Sequence, residues 1–356
     1  MTRTGDWSVT LALLGDTMLG RGVGERLGVV GPHRLVDGAV RDLLLEADLR
    51  VLNLECCIAL GGRRWPDPSK PFFFRAPPAA VDLLTWLGVD AVTLANNHAL
   101  DFGRSALLET LDRLHAAGIA TTGAGTDVWA ARAPARLTAG ASDANSANGV
   151  EVAVFGVTDH PAAYAATPCR AGVAHADLDH GVPAWLRQAV AGATADVVLV
   201  TPHWGPNLTS SPPGYVERAA DALAAAGATV VAGHSAHVFH GAHLGEQPPR
   251  TLLYDLGDFV DDYATHPELR NDLGLLWRVT LTGTGVRTVE AVPLRLGHAA
   301  TSVAVGDDRA WIADRLARAC ARLGTRVEDA GDRLVLRPAD TSTRLPRVVV
   351  QRPGGR

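Results

Sequence analysis

Two histidines, His234 and His237, follow a short apolar run at residues 228–231. A β-branched run of this kind is typical of a buried strand in a parallel sheet, and the glycine after it permits a sharp turn. Imidazoles on a tight loop at the carboxyl end of a strand suit a borderline-soft divalent metal. The alternative is a turn with two solvent-facing histidines. The two interpretations differ in whether further metal ligands are expected at the same edge.

Residue types that bind metals follow four other strand-like runs. Asp16 comes after residues 8–14, Glu55 after 49–54, Asn97 and His98 after 90–95, and His203 after 195–202. Because the carboxyl ends of parallel strands lie at one edge of a sheet, we expect these side chains to converge. An acidic residue that closes an apolar strand is costly unless it is paired or metal-bound. Carboxylate, amide and imidazole together favour a divalent-metal hydrolase with positions open for water and substrate.

A Gly- and Pro-rich segment over residues 61–78 contains three consecutive phenylalanines between Lys70 and Arg75. The aromatic run fits either a strand edge or a wall of the substrate cleft. Arg75 is either a surface charge or a clamp for an anionic substrate, since guanidinium matches carboxylate and phosphate geometry. We predict Lys70, Arg75, Asn53 and Trp204 as substrate-binding residues.

The elements that must position these residues alternate between strands and helices. Apolar residues at helical spacing predict helices over residues 35–47, 79–87, 104–117 and 307–323. A hairpin is expected around residues 283–285, and the small polar residues 139–149 are typical of a mobile hairpin tip. We therefore expect an α/β domain over residues 8–298. Residues 299–356 are predicted to form a helix-and-strand appendage with a flexible tail.

The composition excludes several classes of protein. Hydrophobic residues make up 47% of the 356 residues and charged residues 20%, which is typical of a globular chain that buries a large core. The net charge of −5 gives no global basic surface for nucleic acid. No run reaches the roughly 20 apolar residues of a membrane span. The first apolar run ends without a cleavage site, so a cytoplasmic location is expected.

Eight motifs occur along the chain in a fixed order: GDTMLGR, VLNLE, KPFFFRAP, LANNHALDFG, GIATTGAG, HWG, AGHSAHV and YDLGDFV. As an ordered set they resemble the poly-γ-glutamate capsule biosynthesis (CapA) family, of the calcineurin-like metallophosphoesterase superfamily. The resemblance runs from about residue 9 to residue 282. It implies a four-layer αββα sandwich, with the site between the loop ends of two sheets.

The resemblance also implies a site for two divalent ions, Mn²⁺, Fe or Zn²⁺. The implied ligands are Asp16, Glu55 as the bridging carboxylate, Asn97, His203, His234 and His237. His98 resembles the histidine that protonates the leaving group. Asp101 would orient His98, although it equally fits a cap of the following helix.

The chain departs from the pattern at three positions. The wider superfamily has a histidine ligand where this chain has Met18, and its final histidine pair is separated by one residue, whereas two separate His234 and His237. Family members often have asparagine where this chain has Asp258, in a motif that we interpret as structural.

The resulting prediction is a metal-dependent hydrolase that cleaves a phosphoester through a metal-activated water. One alternative is a hydrolase or transferase acting on an amide or γ-glutamyl substrate, which a metal-activated water also attacks. Another is a non-catalytic accessory subunit of polymer synthesis, which the histidine missing at Met18 favours. The expected partner is a small anionic or peptide-like substrate.

Overall fold

The computed structural model describes residues 7–140, 149–246 and 249–339. Its strands are β1 Ser8–Thr17, β2 Leu49–Leu54, β3 Cys57–Ile58, β4 Arg75–Ala76, β5 Ala91–Thr93, β6 Ala120–Thr122, β7 Ala124–Gly125, β8 Ala135–Ala139, β9 Val150–Thr158, β10 Gly172–Val173, β11 Val197–His203, β12 Val230–Ala232, β13 Ala242–Glu246, β14 Pro249–Leu253, β15 Asp258–Val260, β16 Leu273–Thr282, β17 Gly285–Gly297, β18 Ala300–Val303, β19 Thr325–Asp329 and β20 Leu334–Pro338.

The α-helices cover most of the regions in which helical spacing predicts them. They are α1 Arg21–Val30, α2 Gly38–Leu45, α3 Ala80–Trp86, α4 Gly103–Ala116, α5 Val128–Arg132, α6 Ala184–Ala191, α7 Gly214–Ala225 and α8 Gly306–Arg322. Among the described residues, none of these helices has both the length and the apolar character needed to cross a bilayer.

The larger sheet is mixed. Its main path runs β19-β20-β17-β16-β1-β2-β5-β6, and β15 and β18 pair with β1 and β17. Strands β1, β2, β5 and β6 are parallel, so their carboxyl ends lie at one edge. The predicted hairpin is formed by the antiparallel pair β16 and β17. Strand β15 pairs in parallel with the end of β1, with Asp16 opposite Asp258.

The second sheet follows the order β13-β14-β12-β11-β9-β8. Its central strands β9, β11, β12 and β14 are parallel, and antiparallel strands β8 and β13 close its edges. Strands β8 and β9 form the two sides of the hairpin predicted around residues 139–149, whose tip at residues 141–148 lies outside the described residues.

The two sheets pack face to face, and helices cover their outer faces. Leu13 of β1 and Leu199 of β11 belong to the hydrophobic cluster between the sheets. Because side chains alternate along a strand, the neighbouring Leu14 points to the opposite face, where it packs with residues of α2, α3 and α4. Val200 likewise joins residues of α6 and α7 on the outer face of the second sheet. The predicted α/β class is confirmed, and the layers run helix, sheet, sheet, helix.

The C-terminal segment is not set apart from the rest of the fold. Strand β20 pairs with β17 and extends the larger sheet, and β18 pairs with the other end of β17. Helix α8 buries Ile312, Leu316 and Cys320 in the cluster between the sheets. Residues 299–339 therefore contribute to the core and to the larger sheet, and the helix and strands predicted for this segment are α8, β19 and β20. The tail over residues 340–356 lies outside the described part of the chain.

Candidate metal centre

The carboxyl ends of strands from both sheets bring acids and imidazoles to one place. Asp16 lies near the end of β1, Glu55 directly follows β2, and His203 ends β11. His234 follows β12 and forms a parallel bridge to His203. None of these four residues is more than 1% exposed. The convergence predicted at the strand ends is present in the fold.

Asp16 belongs to two groups of potential metal ligands. The first group is Asp16, His203 and His234, and the second is Asp16, Glu55, His237 and Asp258. Within each group the ligand atoms all lie within 4.8 Å of one another. Nitrogen and carboxylate donors in this mixture suit Zn²⁺, Mn²⁺ or Fe. Asp16 is common to both groups, and Glu55, the bridging carboxylate that the resemblance implies, also lies 4.0 Å from Nε2 of His203 in the first group.

In the first group, two imidazoles face each other. Nδ1 of His203 lies 3.1 Å from Nδ1 of His234, and these atoms lie 3.9 and 3.8 Å from Oδ1 of Asp16. Burial lowers the pKa of His203 well below its usual range and that of His234 to about 4. Both rings are therefore neutral, which is the form that binds a metal.

In the second group, His237 stands among carboxylates. Its Nδ1 lies 2.9 Å from Oδ1 of Asp258, 3.3 Å from Oδ2 of Asp16 and 3.9 Å from Oε2 of Glu55. Burial lowers the pKa of His237, but the charges of Asp258 and Glu55 raise it well above its usual range. A positive charge is therefore favoured at this point, whether a proton or a metal ion supplies it.

Whether these residues fit a metal can be judged from the buried polar atoms that have no hydrogen-bond partner. Among the described residues, these atoms include both carboxylate oxygens of Glu55, Oδ1 of Asn97, Nε2 of His234 and Oδ2 of Asp258. Leaving such atoms unpaired costs about 1–3 kcal/mol each. Burial and the charge of Asp16 raise the pKa of Glu55 well above its usual range. Divalent cations would satisfy these atoms, so the residues present fit a metal centre.

His98 lies beside the second group. Its Nε2 is 4.0 Å from Oε1 of Glu55, while its Nδ1 is 2.7 Å from Oδ2 of Asp101. The ring of Phe74 stacks on His98 at 4.0 Å between centroids, so this phenylalanine of the predicted aromatic run forms a wall of the site. Burial lowers the pKa of His98 to about 4, against the opposite effect of Asp101.

The carboxylate of Asp101 is fully buried, and four donors contact it. Besides His98, it accepts hydrogen bonds from the Phe74 N–H at 2.6 Å and the Tyr164 hydroxyl at 3.2 Å, and it pairs with Lys70 Nζ at 3.0 Å. Helix α4 begins without a side-chain cap. Of the two roles left open by the sequence, Asp101 therefore has the contacts of a residue that orients His98.

Asn53 supports Asp16 and does not face a substrate. It is fully buried, and its Nδ2 donates to Oδ1 of Asp16 at 2.7 Å. Its Oδ1 accepts from Nδ2 of Asn96 at 2.9 Å. The side chain of Asn96 also accepts the N–H of His98 at 3.0 Å. Asn96 is thus a supporting residue that the sequence analysis missed, although the doubled asparagine of ANNH was a visible signal.

The loop after β12 is held in a strained conformation. Ser235 and His237 have φ angles of 120° and 58°, which non-glycine residues rarely adopt. Asp255 fixes the loop by accepting the N–H of Ala236 at 2.8 Å and that of Gly257 at 2.9 Å. Strain of this kind concentrates at functional sites, where the surrounding structure must hold it. Asp255 was not singled out in the sequence.

The two basic residues predicted to bind the substrate, Lys70 and Arg75, contact other groups of the protein. Lys70 is committed to the Asp101 carboxylate, and its ammonium side chain is only 13% exposed. The guanidinium of Arg75 stacks over Phe102 at 4.4 Å and donates to the carbonyl of Gly61 at 3.1 Å. Neither contact directs a free cation towards the potential metal ligands, so the prediction of a basic clamp at these positions is not supported by their contacts.

Trp204 is also placed differently from its predicted substrate-binding role. It is 2% exposed, and its indole N–H donates to the carbonyl of Tyr254 at 2.9 Å. A Cβ at Gly233 would lie 2.3 Å from Nε1 of Trp204, so the indole packs directly under the histidine loop. Trp204 therefore supports that loop from the core and is not available to a substrate.

Asp258 belongs to the second ligand group, whereas Met18 does not. Met18 is fully buried, and its sulfur lies 3.1 Å from the N–H of Gly20, so it is a packing residue. Asp258, which we interpreted as structural, contributes a ligand atom to the second group. That group thus contains four potential ligands without a histidine at position 18.

The layered fold and the carboxylate–imidazole cluster define an α/β protein with a candidate metal centre. The profile of the family described as "Bacterial capsule synthesis protein PGA_cap" matches residues 10–263, and the chain belongs to this family. The CapA-type family predicted from the ordered motifs is confirmed.

Several known proteins are similar to this chain. It is 32% identical over 372 residues to a probable polyglutamine synthesis accessory protein of Mycobacterium tuberculosis, covering 92% of this chain and 95% of the relative. It is 26% identical to the capsule biosynthesis protein CapA of Bacillus anthracis, covering 81% and 67%. A hypothetical protein from Thermus thermophilus, known from its crystal structure, is 16% identical with a TM-score of 0.45, covering 80% and 99%.

Proposed function

We propose that the protein is a metal-dependent hydrolase of the calcineurin-like metallophosphoesterase type, which cleaves a phosphoester. The observation that carries this proposal is that Asp16 is shared by two groups of buried ligands, with His98 beside them. A shared carboxylate is what a site for two Mn²⁺, Fe or Zn²⁺ ions requires. The helix–sheet–sheet–helix layering is the arrangement expected of this type of fold.

The bound ions would act as Lewis acids and lower the pKa of a water molecule to near neutrality. The first ligand group would hold one ion and the second group the other, with Asn97 offering its unpaired amide oxygen. In its imidazolium form His98 would donate the Nε2 proton to the leaving oxygen and return to the neutral ring that carries its proton on Nδ1. The carboxylate of Asp101 keeps Nδ1 protonated and stabilises the imidazolium form. An anionic substrate next to Nε2 would further oppose the effect of burial, which favours neutral His98.

Metal content and turnover test the proposal together. The protein, loaded with Mn²⁺ and dialysed, should retain about two ions per chain and hydrolyse 4-nitrophenyl phosphate or bis(4-nitrophenyl) phosphate. His98→Gln should keep both ions and lose turnover by about 10²-fold or more. His33→Gln, at an exposed position on another part of the surface, is the matched control. Bound metal with full turnover in His98→Gln would exclude the assigned acid, and no bound metal would end the hydrolase proposal.

An amide or γ-glutamyl substrate is the second enzymatic candidate, because a metal-activated water attacks either kind of centre. The name of the Bacillus anthracis relative connects the family with capsule synthesis. Hydrolysis of γ-glutamyl 4-nitroanilide, with both phosphate esters left intact, would favour this candidate over the phosphoesterase.

A non-catalytic accessory role has its own support. The Mycobacterium tuberculosis relative is described as a probable accessory protein of polyglutamine synthesis. The ligand residues are also deeply buried, since Asp16, Glu55 and His203 are each no more than 1% exposed. This role predicts that the protein binds metal but turns over neither a phosphoester nor an amide. It also predicts that removing the metal lowers the melting temperature.

A further inference from the structure

The side chains of the candidate metal centre differ in how far they can be reached from solvent. Asp16, Glu55 and His203 are at most 1% exposed, whereas His98 and His237 are each 7% exposed. The rings of these two histidines therefore border the more open side of the centre. A ligand that reaches the centre approaches it from this side.

Tyr263 lies on the same open side. Its ring meets that of His237 edge-on, with 5.0 Å between the centroids, and that of Phe74 at 5.8 Å. Phe74 in turn stacks on His98. Tyr263 and Phe74 together thus form a wall of the space in front of the two histidines.

The hydroxyl of Tyr263 points into the protein. A tyrosine usually buries its ring and keeps its hydroxyl in water, or gives a buried hydroxyl a partner. Tyr263 is partly exposed, yet its hydroxyl is buried and has no hydrogen-bond partner among the described residues. Burial raises the pKa of Tyr263 well above its usual range, and Glu55 adds to this effect more than any other charge. The hydroxyl is therefore directed towards the second ligand group.

A buried donor without an acceptor destabilises a fold and calls for an explanation. The two cations predicted for the substrate do not supply donors at the centre, because Lys70 pairs with Asp101 and Arg75 donates to the carbonyl of Gly61. A phosphoryl group has several oxygens that accept hydrogen bonds. The free hydroxyl of Tyr263 thus provides a donor that an oxyanion at this centre would need.

We propose that the Tyr263 hydroxyl donates a hydrogen bond to a non-bridging oxygen of the phosphoryl group that reacts at the candidate metal centre. This assignment rests on the proposed function, because it takes that centre as the place of reaction. A fixed donor at the phosphoryl oxygen would stabilise charge there without reorganisation. A neutral donor suits the position, since a cation would be drawn to the carboxylates of Asp16, Glu55 and Asp258.

Inorganic phosphate tests this contact without turnover. Isothermal titration of the Mn²⁺-loaded protein measures the affinity for phosphate in the wild type and in Tyr263→Phe, which removes only the hydroxyl. Phosphate should bind about tenfold more weakly to the variant, the effect of one hydrogen bond to a charged group. Tyr254→Phe, in the hydrophobic cluster on the outer face of the second sheet, is the matched control and should bind phosphate like the wild type.

Metal content and stability distinguish this contact from two other roles of the hydroxyl. Tyr263→Phe should retain the wild-type number of Mn²⁺ ions, and its melting temperature in chelator should not fall, because the hydroxyl has no partner in the described protein. Loss of an ion would make Tyr263 a metal ligand, and a lower melting temperature would give its hydroxyl a structural partner. Either result would overturn the assignment.

The binding data and the proposed function can fail separately. Unchanged phosphate affinity in Tyr263→Phe, or no phosphate binding by the wild type, would also overturn the assignment, whether or not the wild type hydrolyses 4-nitrophenyl phosphate. If the wild type hydrolyses no ester but its phosphate affinity depends on Tyr263, the proposed phosphoesterase fails and the contact with phosphate stands.

Discussion

The substitution Asp101→Asn tests the arrangement around His98 most directly. Asparagine keeps the shape of the side chain but removes its charge and places an amide N–H₂ where an acceptor is needed. Four donors converge on the carboxylate, the nearest being the Phe74 N–H at 2.6 Å and His98 Nδ1 at 2.7 Å. At least one of them must lose its acceptor, and Lys70 loses the opposite charge at 3.0 Å.

The magnitude follows from burial. Removing one partner of a buried ion pair costs about 3–5 kcal/mol. The Lys70 side chain keeps 13% exposure, through which water can solvate part of the ammonium, so we expect the lower end of that range. The free energy of unfolding should therefore fall by about 3 kcal/mol. Loss of the acceptor for Nδ1–H also frees the ring to adopt the other tautomer, and turnover should fall by about 10²-fold.

Urea unfolding followed by circular dichroism measures the first effect, and ¹⁵N NMR of His98 measures the tautomer. Asp112→Asn, at an exposed position in the helix that follows, is the matched control and should change neither quantity. A loss below about 1 kcal/mol, with the Nδ1–H tautomer still dominant, would refute the assignment of Asp101 as the residue that orients His98.

Three further outcomes are expected. Gly15→Ala should lower the free energy of unfolding in urea by at least about 3 kcal/mol, because the added Cβ would lie 1.7 Å from the carbonyl oxygen of Gly257. Gly28→Ala, whose Cβ would enter open space, is the control and should cause no loss. Glu55→Gln should abolish the rise in melting temperature that Mn²⁺ produces in the wild type, because an amide replaces a potential ligand carboxylate; an unchanged Mn²⁺ effect would contradict this. Burial lowers the pKa of His240 to about 4, so as the pH falls the unfolded state takes up a proton on this ring before the folded state does. The free energy of unfolding should therefore fall by about 3 kcal/mol between about pH 6.5 and pH 4. His240→Gln should reduce this loss, and an identical pH profile of urea unfolding would refute the cause.

Much of the site could be predicted because strand ends are visible in the sequence. Apolar runs that end in Asp16, Glu55 and His203 predict both the strands and the edge at which they meet. The parallel pairing of β1 with β2, and of β9 with β11, places those ends together. Local pattern and long-range pairing agree at these positions, and the positions of the ligands follow.

The remaining features depend on packing that a sequence pattern does not contain. Asp258 reaches the second ligand group because β15 returns to pair with the end of β1 from more than 200 residues away in the chain. Lys70 and Trp204 have residue types suited to binding a substrate. In the fold, however, Lys70 pairs with Asp101, and Trp204 packs in the core under the histidine loop. The C-terminal strands extend the larger sheet because β17 offers an open edge, which cannot be recognised without the pairing of β16 and β17.

The distribution of the ligands along the chain has a consequence for biosynthesis. Asp16 comes from the first strand, His234 from the loop after β12, and Asp258 from β15. A nascent chain therefore lacks the first ligand group until residue 234, and the second until residue 258, has left the ribosome and paired with β1. The ions proposed for these groups would therefore bind only after both sheets have assembled. The ions would stabilise only chains that have completed this long-range pairing, so the amount of retained metal would report the fraction of correctly folded protein.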